Sequence, residues 1–174
     1  MAINKNILIF ILIILALLLL YKLLKSSILI IKKDYNAVIQ RNNKFYKILT
    51  PGIHILIPFI DKVARVFYTK EQILDMPQRS FSSKENLNYA VNVEAHYIIE
   101  DAKAFVYANA NTQTELEDFV IKLTDDTLES IYYENQETLL EKANEILSFQ
   151  LIQHGNTLNG IKINKVFITD ITII

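Results

Sequence analysis

Cysteine is absent from the 174-residue chain, and glycine and proline occur only three times each. Without cysteine there is no disulfide framework, no thiolate nucleophile and no thiolate metal site. Three glycines do not make a Gly-rich phosphate loop, and no serine stands in a nucleophile elbow. An excess of one charge is missing too: 18 Lys and Arg face 19 Asp and Glu, for a net charge of -1. With no run of basic residues in the folded region, nucleic acid is a poor fit as principal partner.

What is abundant is apolar surface, 51% of the residues, and it is crowded at the start. Ile7 to Leu20 is an unbroken run of Ile, Leu, Phe and Ala. As a helix it covers about 21 Å, and carrying it through Tyr21, Lys22, Leu23 and Leu24 gives about 27 Å, close to a hydrocarbon core. Lys22 can snorkel, and Tyr21 then sits at the interface. A cleaved signal peptide has a similar apolar length. The following Tyr-Lys-Leu-Leu-Lys-Ser-Ser stretch lacks a small-x-small cleavage pattern, so residues 1–26 read as a retained anchor. Lys5 precedes the apolar run, whereas Lys22, Lys25, Lys32 and Lys33 follow it. That asymmetry places the rest of a single-pass protein in the cytoplasm. The same four lysines suit contact with anionic lipid, at about 1 kcal/mol each.

Behind the anchor, residues 27–82 read as β-rich. Ile28–Ile31, Ala37–Gln40, Phe45-Tyr46 and Ile53–Ile57 are short apolar runs. Asn42-Asn43 and Thr50-Pro51-Gly52 mark turns, the latter fitting Pro then Gly at the centre of a type II turn. Residues 83–174 mix strand and helix. Leu87–Ile99 alternates strictly, with Leu87, Tyr89, Val91, Val93, Ala95, Tyr97 and Ile99 on one face. Asp101 suits the N-cap of a short helix, and Thr112-x-x-Glu115 or Thr114-x-x-Glu117 suits the capping box of a longer one ending near Tyr133. A further helix runs from about Gln136 to Gln153, and a last strand follows Gly160 with a phase slip at Asn164-Lys165. Strands cluster and helices cluster, so the class is α+β.

No catalytic, cofactor or metal residue emerges. His54, His96 and His154 are far apart and not metal-spaced. His96 falls on the wetter strand face, His154 at a helix C-terminus, and His54 suits a structural bond to a nearby carbonyl. Glu117-Asp118 and Asp125-Asp126 point about 100° apart on a helix, so neither converges on one substrate atom.

Leu49 to Asp61 reads L-T-P-G-I-H-I-L-I-P-F-I-D, which resembles the L-x-P-G-x-H-x-x-x-P-F-x-D signature of stomatin-like SPFH (Band 7) proteins. Glu71-Gln72, Asp75 and Pro77 are similar to the family's R-E-Q-x-x-D-x-P stretch. Ser83-Lys84-Glu85-Asn86 is similar to T-K-D-N, Asp101-Ala102-Lys103-Ala104 to D-P-x-K-A, and Thr127 to Ile131 to T-L-R-S-I with Glu129 in place of Arg. Asn144, Gly160-Ile161 and Val166 to Ile171 complete the match, while Tyr133 and Asn159 stand where Gly and Trp are frequent. The resemblance implies a β-rich lobe lying against the bilayer and an α/β lobe beside it. It implies a non-catalytic scaffold that self-associates or joins a related SPFH chain, organises lipid microdomains, or controls a membrane protease or channel. Relatives continue into a coiled coil, and this chain, ending at Ile174, is expected to lack it.

Two surfaces follow as expectations. Leu56, Phe59 and Ile60 are too apolar for a wet loop and are expected at the membrane with Lys22, Lys25, Lys32 and Lys33. Asp125, Asp126 and Glu129 form an acidic helix face that could meet Lys62, Lys70 or Lys84 of a neighbouring copy. The competing readings are a membrane-tethered hydrolase and a monomeric lipid-binding module.

Overall fold

A computed structural model describes residues 5–82, 87–108, 112–132 and 135–174. Ser83 to Asn86, including Lys84, and Tyr133 lie outside the described residues. The chain divides into two compact units, Met1–Phe67 and Tyr68–Ile174.

The first unit opens with helix α1, Lys5–Ser26. Its 22 residues extend about 33 Å, and every side chain from Ile7 to Tyr21 is exposed. Mean hydropathy over Lys5–Lys22 is 2.3, so the helix is long and apolar enough to cross a membrane. Five strands follow. Strands β1 (Ile28–Ile31) and β4 (Gly52–Ile55) pair antiparallel as a two-stranded sheet. Strands β2 (Tyr35–Arg41), β3 (Lys44–Leu49) and β5 (Asp61–Tyr68) form a second sheet in the order β3-β2-β5. The β2–β3 hairpin turns on Asn42 and Asn43, both at positive φ (52° and 61°). That is the two-residue turn whose twist matches the strands it joins, and asparagine tolerates it. Gly52, after Pro51, takes a φ of 142°, a conformation that favours glycine. The core of this unit is small: Ile31, Ala37, Ile39, Leu49 and Leu56, with Leu29 packed against it.

The second unit is one antiparallel sheet covered by helices. Strands β6 (Gln72–Ser82), β7 (Asn88–Ile99), β8 (Thr157–Leu158) and β9 (Ile161–Ile173) lie in the order β6-β7-β9-β8. Strand β6, expected in the β-rich lobe, pairs along its length with β7 and so belongs to this sheet. The alternation along β7 holds, with Tyr89, Val91, Val93 and Ala95 buried. Strand β9 carries the expected slip: His96 faces Lys165 and Tyr97 faces Ile163, leaving Asn164 as the extra residue. A second slip leaves Thr169 unpaired between Asp170 and Ile168.

Helix α2 (Ala102–Tyr107) is capped by Asp101, which accepts from the Lys103 and Ala104 amides. Helix α3 runs Thr112–Ser130, so of the two threonines of the expected capping boxes Thr112 is its first residue and Thr114 lies in its first turn. Helix α4 (Gln136–His154) starts from an Asn135 cap and ends at Gly155. Leu116, Val120, Leu123 and Leu128 of α3 meet Leu139, Ala143, Leu147 and Leu151 of α4 and the inner face of the sheet in one continuous core. Asn144 ties α4 to the second slip of β9: its side chain accepts from the Ile168 amide at 2.7 Å and donates to the Ile168 carbonyl at 3.1 Å. A bulge leaves backbone groups without ladder partners, and this amide supplies them.

Candidate membrane-contact face

Strand β1 starts two residues after α1 ends. The register pairs Ile28 with Ile55 and Ile30 with Ile53. Cross-strand partners share a face, so all four isoleucines stand on one side of the β1–β4 sheet. They are between 55% and 79% exposed. Leu29 and Ile31, on the other face, turn toward the small core. The exposed face is contiguous, branched and apolar, which water alone does not favour.

The turn from Leu56 to Ile60 extends this surface. Phe59 sits at its apex with a φ of 66° and is 88% exposed, while Ile60 is 40% exposed. Leu56 is a correction to the expected trio: at 8% exposure it belongs to the core, its amide donating to the Ser27 carbonyl at 2.7 Å. It points inward because it continues the phase of His54 rather than that of Ile53 and Ile55.

Asp61 holds the turn. Its carboxylate accepts from the Ile57 amide at 2.9 Å and from Arg41, Nε at 2.7 Å and Nη2 at 3.1 Å. The Ile60 and Asp61 amides both reach the Ile57 carbonyl, and Asn42 reaches that of Ile60. The Arg41 guanidinium in turn lies 3.8 Å from the centre of the Tyr46 ring. Bonded first by Arg41 and then by the Ile57 amide, the Asp61 carboxyl titrates down at about 2, and its side chain is 2% exposed. His54 does what its position suggested, with Nε2 donating to the Thr50 carbonyl at 2.7 Å. The P-G-x-H-x-x-x-P-F-x-D run is thus a brace: Gly52, His54 and Asp61 fix the backbone that presents Ile53, Ile55 and Phe59.

Of the expected lysines, Lys22, Lys25, Lys32 and Lys33 are all exposed. The acidic trio of α3 is less uniform, with Asp125 and Asp126 half-buried and Glu129 exposed. Lys62 and Lys70 are exposed. The tail is mixed as well, with Ile171 in the core and Ile173 and Ile174 exposed.

The remaining histidines differ in setting. His154 bonds the Gln150 carbonyl in the last turn of α4. His96, expected in water, is half-buried: Nδ1 lies 3.3 Å from Glu71, Nε2 lies 3.9 Å from Glu94, and the ring tilts against Phe167. Glu71 also accepts from Asn164 at 2.8 Å, and these two partners, Asn164 foremost, hold its carboxyl below the usual range. Asp61 stood in the sequence only as the last residue of the signature, while its partner Arg41 and the isoleucine face were not singled out. The period-two spacing of Ile28, Ile30, Ile53 and Ile55 was legible there, but not which side of the sheet faces outward.

Residues 29–173 match the model of the SPFH domain / Band 7 family. Protein HflK of Treponema pallidum is 38% identical over 68 residues, 39% of this chain and 21% of that one. Mitochondrial stomatin-like protein 2 of Homo sapiens is 27% identical over 97 residues, 50% of this chain and 27% of that one. An uncharacterized protein of Methanocaldococcus jannaschii is 25% identical over 152 residues, covering 84% of this chain and 72% of its own. The matches to HflK and stomatin-like protein 2 thus take in about a quarter of those proteins.

Proposed function

This chain belongs to the SPFH domain / Band 7 family, and from that premise we propose that it is a non-catalytic, membrane-anchored scaffold whose first unit lies on the bilayer. The observation that carries the reading is the four-isoleucine face of the β1–β4 sheet, begun two residues behind a helix long enough to span. A surface of this kind, followed by Lys32 and Lys33, is matched by a leaflet with anionic headgroups. The finer part of the proposal is that copies associate side by side, and that the assembly organises lipid or regulates a membrane protease or channel. The acidic residues Asp125, Asp126 and Glu129 supply a charged contact for a neighbour's lysines. The lysine excess after α1 supports a cytoplasmic position for the second unit.

Two measurements test this. The absence of native cysteine makes single-site labelling clean. A label on Ile53→Cys of the full-length protein in vesicles should be shielded from a water-soluble quencher, while one on Gln153→Cys, exposed on α4, should not. Equal quenching would remove the membrane face. Light scattering of the detergent-extracted protein should then show multimers that weaken when Asp125 and Asp126 become Lys. A monomer at every concentration would leave the single lipid-binding module in place of the scaffold.

A further inference from the structure

At the end of β1 a cleft of about 340 Å³ opens between Leu29, Ile30, Ile31, Lys32, Tyr35 and Val66. The volume is at the lower end of the range of small-molecule sites, and the walls have the usual composition, apolar with few polar groups. Leu29 and Ile31 come from the inner face of β1, Tyr35 from the start of β2 and Val66 from β5. Its lining carries a single charge, that of Lys32, and a phenol, that of Tyr35. Ile30 belongs both to the cleft and to the exposed isoleucine face.

We propose that this cleft is a binding site for one anionic phospholipid, with an acyl segment between Leu29, Ile31 and Val66 and the phosphate on the Lys32 ammonium. The inference rests on the membrane-face reading. If Ile28, Ile30, Ile53 and Ile55 lie in the leaflet, β1 runs along the surface, and Lys32 emerges at the headgroup layer. Sharing Ile30 with that face, the cleft then opens sideways onto lipid and not into bulk water. A soluble phosphate would satisfy Lys32 but leave the apolar walls wet, and an uncharged acyl chain would leave Lys32 unused. A lipid with a negative headgroup meets both requirements. Phosphate contact by a flexible ammonium is a point-charge interaction, so selection is for charge and not for headgroup shape.

The test uses the full-length protein in vesicles of phosphatidylcholine mixed with phosphatidylglycerol. One lipid in turn carries a photoreactive acyl chain, and labelled positions are read by mass spectrometry. Labelling at Leu29 and Val66 should favour phosphatidylglycerol. Lys32→Gln, at an exposed position, should cut that preference about fivefold. Val66→Trp, also at an exposed position, fills the cleft and should abolish labelling there while leaving labelling at Ile53 and Ile55 intact. Equal labelling by both lipids, or no response to either substitution, would overturn the site. Labelling of Ile53 and Ile55 without the cleft sinks this inference alone, whereas labelling of neither also sinks the membrane face.

Discussion

The two units bury their apolar residues to very different degrees. In the second, nearly every apolar residue of the β7 and β9 inner face and of the α3 and α4 stripes is buried in one core. In the first, five buried side chains form the core, while Ile28, Ile30, Ile53, Ile55 and Phe59 remain outside it. The difference is that the second unit has helices to lay over its sheet, and the β1–β4 sheet has a bare outer face. A layer without a cover needs another one, which the proposed bilayer contact would supply beside a helix long and apolar enough to span. Stability of the second unit is therefore a matter of internal packing, and that of the first a matter of its braces and its surroundings.

The largest expected effect tests the internal half of that contrast. Gly160 has a φ of 82°, and a Cβ there would run into the Asp101 carbonyl and stand 2.7 Å from the Phe105 amide. Gly160→Ala should destabilise the second unit by about 3 kcal/mol in urea unfolding followed by helical circular dichroism. Gly155, at a φ of 83° with open space around it, has nearly the same φ without the collision. Gly155→Ala should cost only about 1 kcal/mol. Equal losses would mean that backbone strain, not packing against α2, sets the requirement.

Asn144 gives the next largest effect. Replacing it by Ala leaves the Ile168 amide and carbonyl at the β9 bulge without partners, for a loss of about 2 kcal/mol. Hydrogen exchange at Ile168 should accelerate first. If the Ile168 amide keeps its protection in Asn144→Ala, the bulge is held by the sheet alone.

The second unit was largely legible in the sequence. Its periodicities are long, from Leu87 to Ile99 and across α3 and α4, and tertiary packing agrees with them. Even the slip at Asn164 showed as a change of phase. The capping boxes offered two starts, Thr112 and Thr114, each three residues before a Glu, and the helix begins at the first of them. The first unit was legible in its turns, Asn42-Asn43 and Pro51-Gly52, and much less so in its surfaces. A run such as Ile53-His54-Ile55-Leu56-Ile57 is apolar on both faces, so periodicity does not say which face a core will claim. Leu56 went inside and Ile53 and Ile55 outside, decided by Ile31 and Ile39, residues distant in sequence. The clamp of Arg41 on Asp61 was equally hidden, since twenty residues separate the two.

The smallest effect concerns the brace itself and appears only in acid. The folded-state Asp61 carboxyl titrates at about 2 against an ordinary 3.8. A depressed carboxylate contributes stability that is complete above the unfolded value and is lost as pH falls through the folded one. Protection of the Ile57 amide should therefore be flat from neutrality down to about pH 4 and decline only toward about pH 2. In Asp61→Ala it should be low throughout. Glu71 of the second unit is also depressed from its ordinary 4.5, but through Asn164 and His96, and with a side chain 48% exposed. Its stabilisation has the same sign, present above its unfolded value and lost below it. Water screens it more, so the Asn164 side-chain amide should loosen at a higher pH than the Ile57 amide. The reverse order would mean that the Arg41–Asp61 brace is the weaker of the two, and that the first unit depends on the membrane even for the shape of its turn.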